Sequence, residues 1–228
     1  MTEEDIKSEI VRLSGSGKKV APGARQHGIY SSFTFPPFDQ MRAVRDTRKR
    51  FEDFGLYETP PTTSALPLSG KRFLDVGSNV GAVSFHAAGM GAEVTGVEYR
   101  EDRVQLCNVI ADRYLMEAKF YQTDLNEVIA NESKHGDDMS SPSWMAVQYD
   151  VVWCSSVDEY VNDVLAFYAT LHSLCADKLY FECNRQGGVS VTETEILLKK
   201  AGFKNVMYRG NGHSGGIARK RKLFTAEV

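Results

Sequence analysis

The chain has 228 residues, 42% of them hydrophobic and 25% charged, with a formal net charge of -3. That length fits one domain with additions, or one and a half, and buries a sizeable core, and nothing in the mildly acidic total suggests general nucleic-acid binding. No apolar run is long enough to span a bilayer, and the polar, acidic start from Met1 to Asp5 excludes a secretory signal.

Residues 3–13 place Ile6, Ile10 and Leu13 on one side of a short amphipathic helix. Ser14-Gly15-Ser16-Gly17-Lys18-Lys19 breaks it and reads as a flexible joint. Residues 20–38 are rich in aromatic residues, glycine and proline and predict no regular element. Asp39 is the expected cap of a helix over 40–54, with Met41, Val44, Arg48 and Phe51 on one face, Phe54 extending it and Gly55 ending it. Residues 1–69 together read as a helical lid over a core formed by residues 70–228.

From residue 71 strands and helices alternate. Strands are expected at 72–76, 93–98, 119–123, 149–154, 178–183, 203–209 and 221–228. The first helix spans about 80–90. The second is capped by Asp102 and lines up Val104, Cys107, Ile110, Ala111, Tyr114 and Leu115. A short helix follows at 125–130, then a polar, mobile insertion over 131–143. A helix over 161–175 precedes the fifth strand. Thr192 and Glu195 form the capping box of the last helix, which runs to Lys200 and stops at Gly202. The pattern predicts an α/β fold with a doubly wound seven-stranded sheet. Its last two strands, joined by the glycine-rich loop 210–216 and no helix, form an antiparallel hairpin.

Cys107, Cys154, Cys175 and Cys183 form no CxxC pair, so buried reduced thiols in a cytosolic protein are expected, with no metal site. The stretch Arg72 to Ala88 reads as strand, glycine turn and helix, a place to hold a nucleoside cofactor. It departs from the dinucleotide pattern GxGxxG, because Asn79 stands at the middle glycine and Asp75 would set a negative charge beside a pyrophosphate. A cationic or amine-bearing ligand suits it better, and a nicotinamide oxidoreductase is disfavoured.

Asp75-x-Gly77-x-Asn79-x-Gly81 resembles motif I of the class I S-adenosylmethionine-dependent methyltransferases, which have a Rossmann-like sheet with a C-terminal hairpin. The resemblance covers residues 70–228. It implies that Asp75, Gly77, Ser78, Asn79 and Gly81 hold the methionine part of the cofactor. Glu98 would accept from both ribose hydroxyls, and Asp124 would meet the adenine amino group. Tyr99, Leu125 and Ser155 stand beside these positions. The other reading of Asp124 is a cap for the helix at 125–130.

For methyl transfer, Asp158, Glu159 and Tyr160 follow the fourth strand as candidate bases or orienting groups, or as helix-start residues. His213 in the hairpin loop is a further candidate. The proline-rich tetrapeptide of amide-methylating relatives is missing here, which argues against adenine-N6 or protein-glutamine methylation. Cys154 has no adjacent base and is discounted as a nucleophile, and His86 is read as structural. Asn184 and Arg185 follow the fifth strand, where Arg185 would hold a substrate anion. The strip containing His27, Tyr30 and Phe33 resembles the entry segment of carboxymethyluridine-tRNA methyltransferases and their small-molecule relatives, which implies substrate contact; packing alone also explains it. Arg42, Arg45, Arg48, Lys49 and Arg50, and the run Arg219 to Lys222, are either solvated or turned to the cleft. The expectation is a methyltransferase acting on oxygen or nitrogen of a small or medium-sized metabolite. Alternatives are a tRNA substrate modified near the wobble uridine, and a non-catalytic subunit that binds S-adenosylmethionine.

Overall fold

The computed structural model describes residues 1–14, 29–56, 66–132, 142–184, 190–212 and 221–228. The expected joint after Ser14, most of the polar insertion over 131–143 and much of the loop 210–216 lie outside these residues.

The chain starts with α1 (Glu3–Ser14), which buries Ile6, Ile10 and Leu13 as its apolar spacing dictates. Two short strands follow, β1 (Ile29–Ser31) and β2 (Ala43–Arg45), paired in parallel with Ile29 opposite Ala43 and Ser31 opposite Arg45. Helix α2 is Thr47–Asp53. The helix expected over 40–54 therefore begins only at Thr47, with three residues of strand before it, and residues 20–38 do contain an element. The helix start is set by Asp46 instead of Asp39: its carboxylate accepts from the backbone N–H groups of Arg48 and Lys49, at 2.9 and 3.3 Å. Upstream of that cap Val44 and Arg45 are drawn into extended pairing, a long-range effect that helix spacing does not carry.

The main sheet and its helices then follow in alternation: β3 (Arg72–Val76), α3 (Ala82–Gly89), β4 (Glu93–Glu98), α4 (Glu101–Arg113), β5 (Ala118–Gln122), α5 (Leu125–Glu132), β6 (Tyr149–Ser155), α6 (Val164–Leu174), β7 (Cys175–Cys183), α7 (Val191–Lys200), β8 (Lys204–Asn211) and β9 (Lys222–Glu227). The seven strands stand in the order β5-β4-β3-β6-β7-β9-β8. The first five are parallel, each return being made by a helix. β9 runs antiparallel to both β7 and β8. The expected doubly wound sheet with a terminal hairpin is the observed one.

Both faces of this sheet are covered, so its strands are apolar on both sides and successive residues enter different layers. Phe73, Val151, Trp153 and Tyr180 face the layer that holds α1, α3, α4 and the aromatic residues of the N-terminal segment. Leu74, Val152, Cys154 and Phe181 face the layer under α5, α6 and α7. All four cysteines are buried thiols.

Three local expectations move by a residue or two. Helix α4 is preceded by Arg100 in the N-cap position, and Asp102 lies in the first turn, where its carboxylate accepts from Arg100 Nε at 3.0 Å. Leu115 leaves the apolar face: its φ is 52° and it is 90% exposed. Ser190 caps α7 in place of Thr192, accepting from the backbone N–H of Glu193 at 3.0 Å.

Candidate active site

Register sets the site. Val76 stands opposite Val97 on one side and Cys154 on the other, and Ser155 stands opposite Glu182. The carboxyl ends of β3, β4, β6 and β7 thus come to one edge. The strand order reverses between β3 and β6, which is where open α/β sheets hold ligands. A cavity of about 630 Å³ lies there.

One half of it is built by the turn after β3. Gly77, Asn79 and Gly81 have φ of 78°, 54° and 80°, so three residues within five are left-handed. At Gly77 a Cβ would come within 2.5 Å of Val157 Cγ2, so the glycine is required by packing as well as by φ. Glu98 holds the turn from the next strand: Oε2 accepts from Asn79 N at 2.9 Å, and Oε1 accepts from Arg100 N at 3.1 Å and Arg103 Nη1 at 3.3 Å. Asp75 is 3% exposed, and Ser84 Oγ donates to it at 2.6 Å. Burial pushes its carboxyl up to about 6, against the opposing pull of Ser84 and the charge of Arg50. Ser78 Oγ, Asn79 Oδ1 and Thr123 Oγ1 are buried here without a hydrogen-bond partner. Buried polar atoms in native proteins are rarely left so. A nucleoside cofactor with an amino-acid tail carries donors and acceptors of the kind these atoms lack, so the residues present fit that group.

The other half is built around Glu182, which is fully buried. Its oxygens accept from Arg45 Nη1 and Nη2 at 2.8 and 3.0 Å, from Arg221 Nη1 at 3.0 Å, from Arg50 Nη2 at 3.3 Å and from Ser156 Oγ at 3.1 Å. Burial alone would raise this carboxyl, but the guanidinium groups of Arg50, Arg45 and Arg221 outweigh it and hold Glu182 well below the usual range. Arg50 also packs over Trp153, 5.1 Å from the ring centroid. Tyr30 OH accepts from Arg45 Nη1 at 3.2 Å and from Arg221 Nη1.

The cavity gathers most of the residues singled out by sequence. Asp75, Gly77, Ser78, Asn79, Glu98, Tyr99, Asp124, Leu125, Ser155, Tyr30, Tyr160 and Asn184 all line it. Asp124 also accepts from Asn126 N at 2.9 Å, so it serves as the helix cap as well. Others stand back from it. Gly81 is the N-cap of α3. Phe33 is 2% exposed, packed among Phe35, Phe38 and Phe85. Asp158 is buried and accepts from Asn184 N at 2.8 Å and from Cys183 Sγ at 3.1 Å. Glu159 accepts from Asn184 Nδ2. His27, Arg185 and His213 lie outside the described residues.

Arg45 and Arg50 are 2% and 5% exposed, so the expectation of a solvated basic run fails at both. No motif or spacing in the sequence singles out Glu182 or Ser156. The signal for Glu182 is in its strand: a carboxylate within Leu179-Tyr180-Phe181-Glu182-Cys183 enters a buried layer and requires a cation. Burial pushes the Cys154 thiol far above its ordinary value, which leaves no thiolate there. Burial also lowers His86 to about 4, so its imidazole is neutral, hydrogen-bonded to Thr34 Oγ1 at 2.8 Å.

Residues 74–178 match a family model described as a methyltransferase domain. A ubiquinone biosynthesis O-methyltransferase of Marinobacter nauticus is 33% identical over 43% of this chain and 37% of that protein. A protein of the same description from Actinobacillus pleuropneumoniae is 26% identical over 47% of this chain and 42% of its own length. The chain thus spans about two fifths of these curated relatives. Among solved structures, a magnesium protoporphyrin IX methyltransferase from Synechocystis with bound S-adenosylmethionine superposes with a TM-score of 0.58. It is 18% identical and covers 79% of this chain and 78% of its own. The matched segment runs from β3 to the start of β7, so this part of the chain is similar to a methyltransferase domain, and the sheet that surrounds it shares the fold of the solved methyltransferase.

Proposed function

We propose that this cavity binds S-adenosylmethionine and that the chain transfers its methyl group to oxygen or nitrogen of a small or medium-sized acceptor. The observation that carries the reading is the set of orphaned polar atoms, Ser78 Oγ, Asn79 Oδ1 and Thr123 Oγ1, around a glycine turn that Glu98 fixes. When bound, the cofactor supplies an electrophilic methyl group on a sulfonium. Glu98 lines the cavity beside the turn and suits the ribose hydroxyls. Asp75, ionised above about pH 6, suits the positive end of the ligand. The O-methyltransferases among the relatives favour an oxygen acceptor.

The chain's own contribution to the reaction is chiefly placement. Glu182 is saturated with donors and is no base. Burial, and then the neighbouring Glu159, raise Tyr160, so its phenol stays protonated at neutral pH. Orientation of an acceptor against the methyl group supplies the rate, as proximity does in reactions of this kind. Ser14, Tyr30, Ser31 and Arg50 bring the N-terminal segment into the cavity wall, which supports its role as a lid over the 70–228 core. A tRNA substrate has less support: Arg45 and Arg50 are buried against Glu182 and not on an open surface, and Lys49 is paired with Glu52 and Asp53. Among the described residues no helix is long and apolar enough to cross a membrane.

Isothermal titration with S-adenosylhomocysteine tests the cofactor reading, with micromolar binding expected. A folded protein that takes up none of it would end the proposal. Turnover of labelled S-adenosylmethionine over a panel of phenol, alcohol and amine acceptors separates an enzyme from a binding-only subunit.

A further inference from the structure

The cluster around Glu182 carries more positive charge than its own carboxylate neutralises. Arg45, Arg50 and Arg221 all pair with that one group, which leaves an excess of two charges. Asp75 acts on Arg50 through space and offsets one of them when ionised. Excess charge in a desolvated place is costly unless a counter-ion arrives. Arg50 shows that cost, since burial and the charge of Arg45 draw its pKa down.

The donors are also not used up. Arg50 Nε is buried without a partner. Every side-chain hydrogen bond of Arg221 to the described residues runs through Nη1, to Tyr30 OH, Ser156 Oγ and Glu182 Oε1, and none of those residues takes Nε or Nη2. Tyr30 OH accepts from two guanidinium groups, and a phenol has one proton left to donate once both lone pairs are taken. Arg50, Arg221 and Tyr30 all line the cavity.

From these observations we infer that Arg221, with Arg50 and Tyr30, forms an anion subsite for the methyl acceptor, so that the acceptor carries a carboxylate or a phosphate. The inference rests on the methyltransferase reading for the word acceptor; the anion subsite itself does not depend on it. Position separates the subsite from the cofactor's half. Arg221 precedes β9, which is three strands from β3 in the sheet, roughly 14 Å at the usual strand spacing. The planar guanidinium fork matches both carboxylate and phosphate. Glu182 acts as a positioning residue: it fixes the three arginines and keeps an anion from being drawn below the cavity floor.

The test is titration of inorganic phosphate, at constant ionic strength, into the full chain saturated with S-adenosylhomocysteine, for wild type and for Arg221→Gln. Wild type is expected to bind phosphate saturably. R221Q should bind it at least tenfold more weakly while its affinity for S-adenosylhomocysteine stays within threefold. The variant still leaves Glu182 with Arg45 and Arg50, so its fold is retained; should it not be, Arg221→Lys keeps a charge and loses the fork, with a smaller weakening expected. Absence of phosphate binding to loaded wild type, or equal binding by R221Q, overturns the subsite. So does phosphate binding by the free protein that S-adenosylhomocysteine abolishes, because the arginines then serve the cofactor's own carboxylate. If S-adenosylhomocysteine itself does not bind, the methyltransferase reading fails, and the same phosphate titration of the free protein still decides the anion subsite.

Discussion

The two halves of the cavity solve opposite problems. The half after β3 leaves polar atoms without partners: Ser78 Oγ, Asn79 Oδ1 and Thr123 Oγ1. The half around Glu182 saturates its carboxylate with donors from Arg45, Arg50, Arg221 and Ser156. Each half holds one non-glycine residue in the left-handed region, Asn79 with φ 54° and Ser156 with φ 65°. Such residues persist only where their surroundings over-determine them. Glu98 does this for Asn79 by accepting its N–H; Glu182 does it for Ser156 through both backbone and side chain. The difference teaches that the half after β3 is held by one carboxylate and offers bare oxygens, whereas the half around Glu182 has its carboxylate complete and offers only spare arginine donors, Arg50 Nε among them.

The largest effect should therefore fall on stability and come from the half around Glu182. Glu182→Ala takes the shared carboxylate from two buried guanidinium groups, Arg45 and Arg50, and from the half-buried Arg221, and removal of one partner from a buried ion pair costs about 3–5 kcal/mol. Urea unfolding of the variant measures it. A loss below about 1 kcal/mol would mean that the arginines relax into solvent and that the two halves are alike. The linkage has a definite sign. Glu182 titrates lower folded than unfolded, so its contribution is full above the ordinary carboxylate range and is lost only as pH falls well below it.

The same contrast explains what the sequence could show. The turn Gly77 to Gly81, its strand and its helix are contiguous, and their glycines, apolar run and spacing to Glu98 are local facts. The cluster joins residues 137 apart in the chain at Arg45 and Glu182, and 39 apart at Arg221 and Glu182. Nothing local distinguishes Arg45 from Arg42 or Arg48. It is buried because β2 pairs with β1 and delivers it under the sheet edge, and that pairing also broke the helix expected over 40–54. The doubly wound sheet with its terminal hairpin was legible because alternation of strands and helices admits few arrangements. The caps were displaced by two and seven residues: from Thr192 to Ser190, where several small polar residues compete within a turn, and from Asp39 to Asp46, where the β1–β2 pairing takes the first residues of the expected helix.

In the half after β3 the largest effect should appear in affinity. Glu98→Ala removes a charged acceptor, and hydrogen bonds to charged groups contribute about 1.5–3 kcal/mol each. S-adenosylhomocysteine should bind roughly thirtyfold more weakly by titration calorimetry. Equal affinity would take Glu98 out of the ribose role and leave it as a tether for Asn79 N alone.

A smaller effect separates the halves by pH. Asp75 is raised from 3.8 to about 6, opposite to Glu182. A raised carboxyl favours the folded state below its ordinary value, and that contribution is lost as pH rises through about 6. A cationic ligand wants the ionised form, so affinity for S-adenosylmethionine should fall as pH drops from about 6 toward 4, by up to about tenfold per unit. Asp75→Asn should flatten the profile. Titrations between pH 4.5 and 8 read this directly, and a wild-type profile as flat as the variant's would remove Asp75 from contact with the ligand's charge.

The smallest effect concerns Asn79, and it divides backbone from side chain. At φ 54° alanine pays about 1 kcal/mol for the left-handed conformation, which asparagine tolerates better and glycine adopts freely. Asn79→Ala should lose about that much stability. Asn79→Gly should keep the stability within about 0.5 kcal/mol, since it also removes a buried acceptor that has no partner. If Oδ1 waits for a ligand donor, the glycine variant binds S-adenosylhomocysteine several-fold more weakly while unfolding at an unchanged urea midpoint. If its affinity is also unchanged, asparagine stands here for its backbone alone, and the half of the cavity after β3 is completed by Ser78, Thr123 and Glu98.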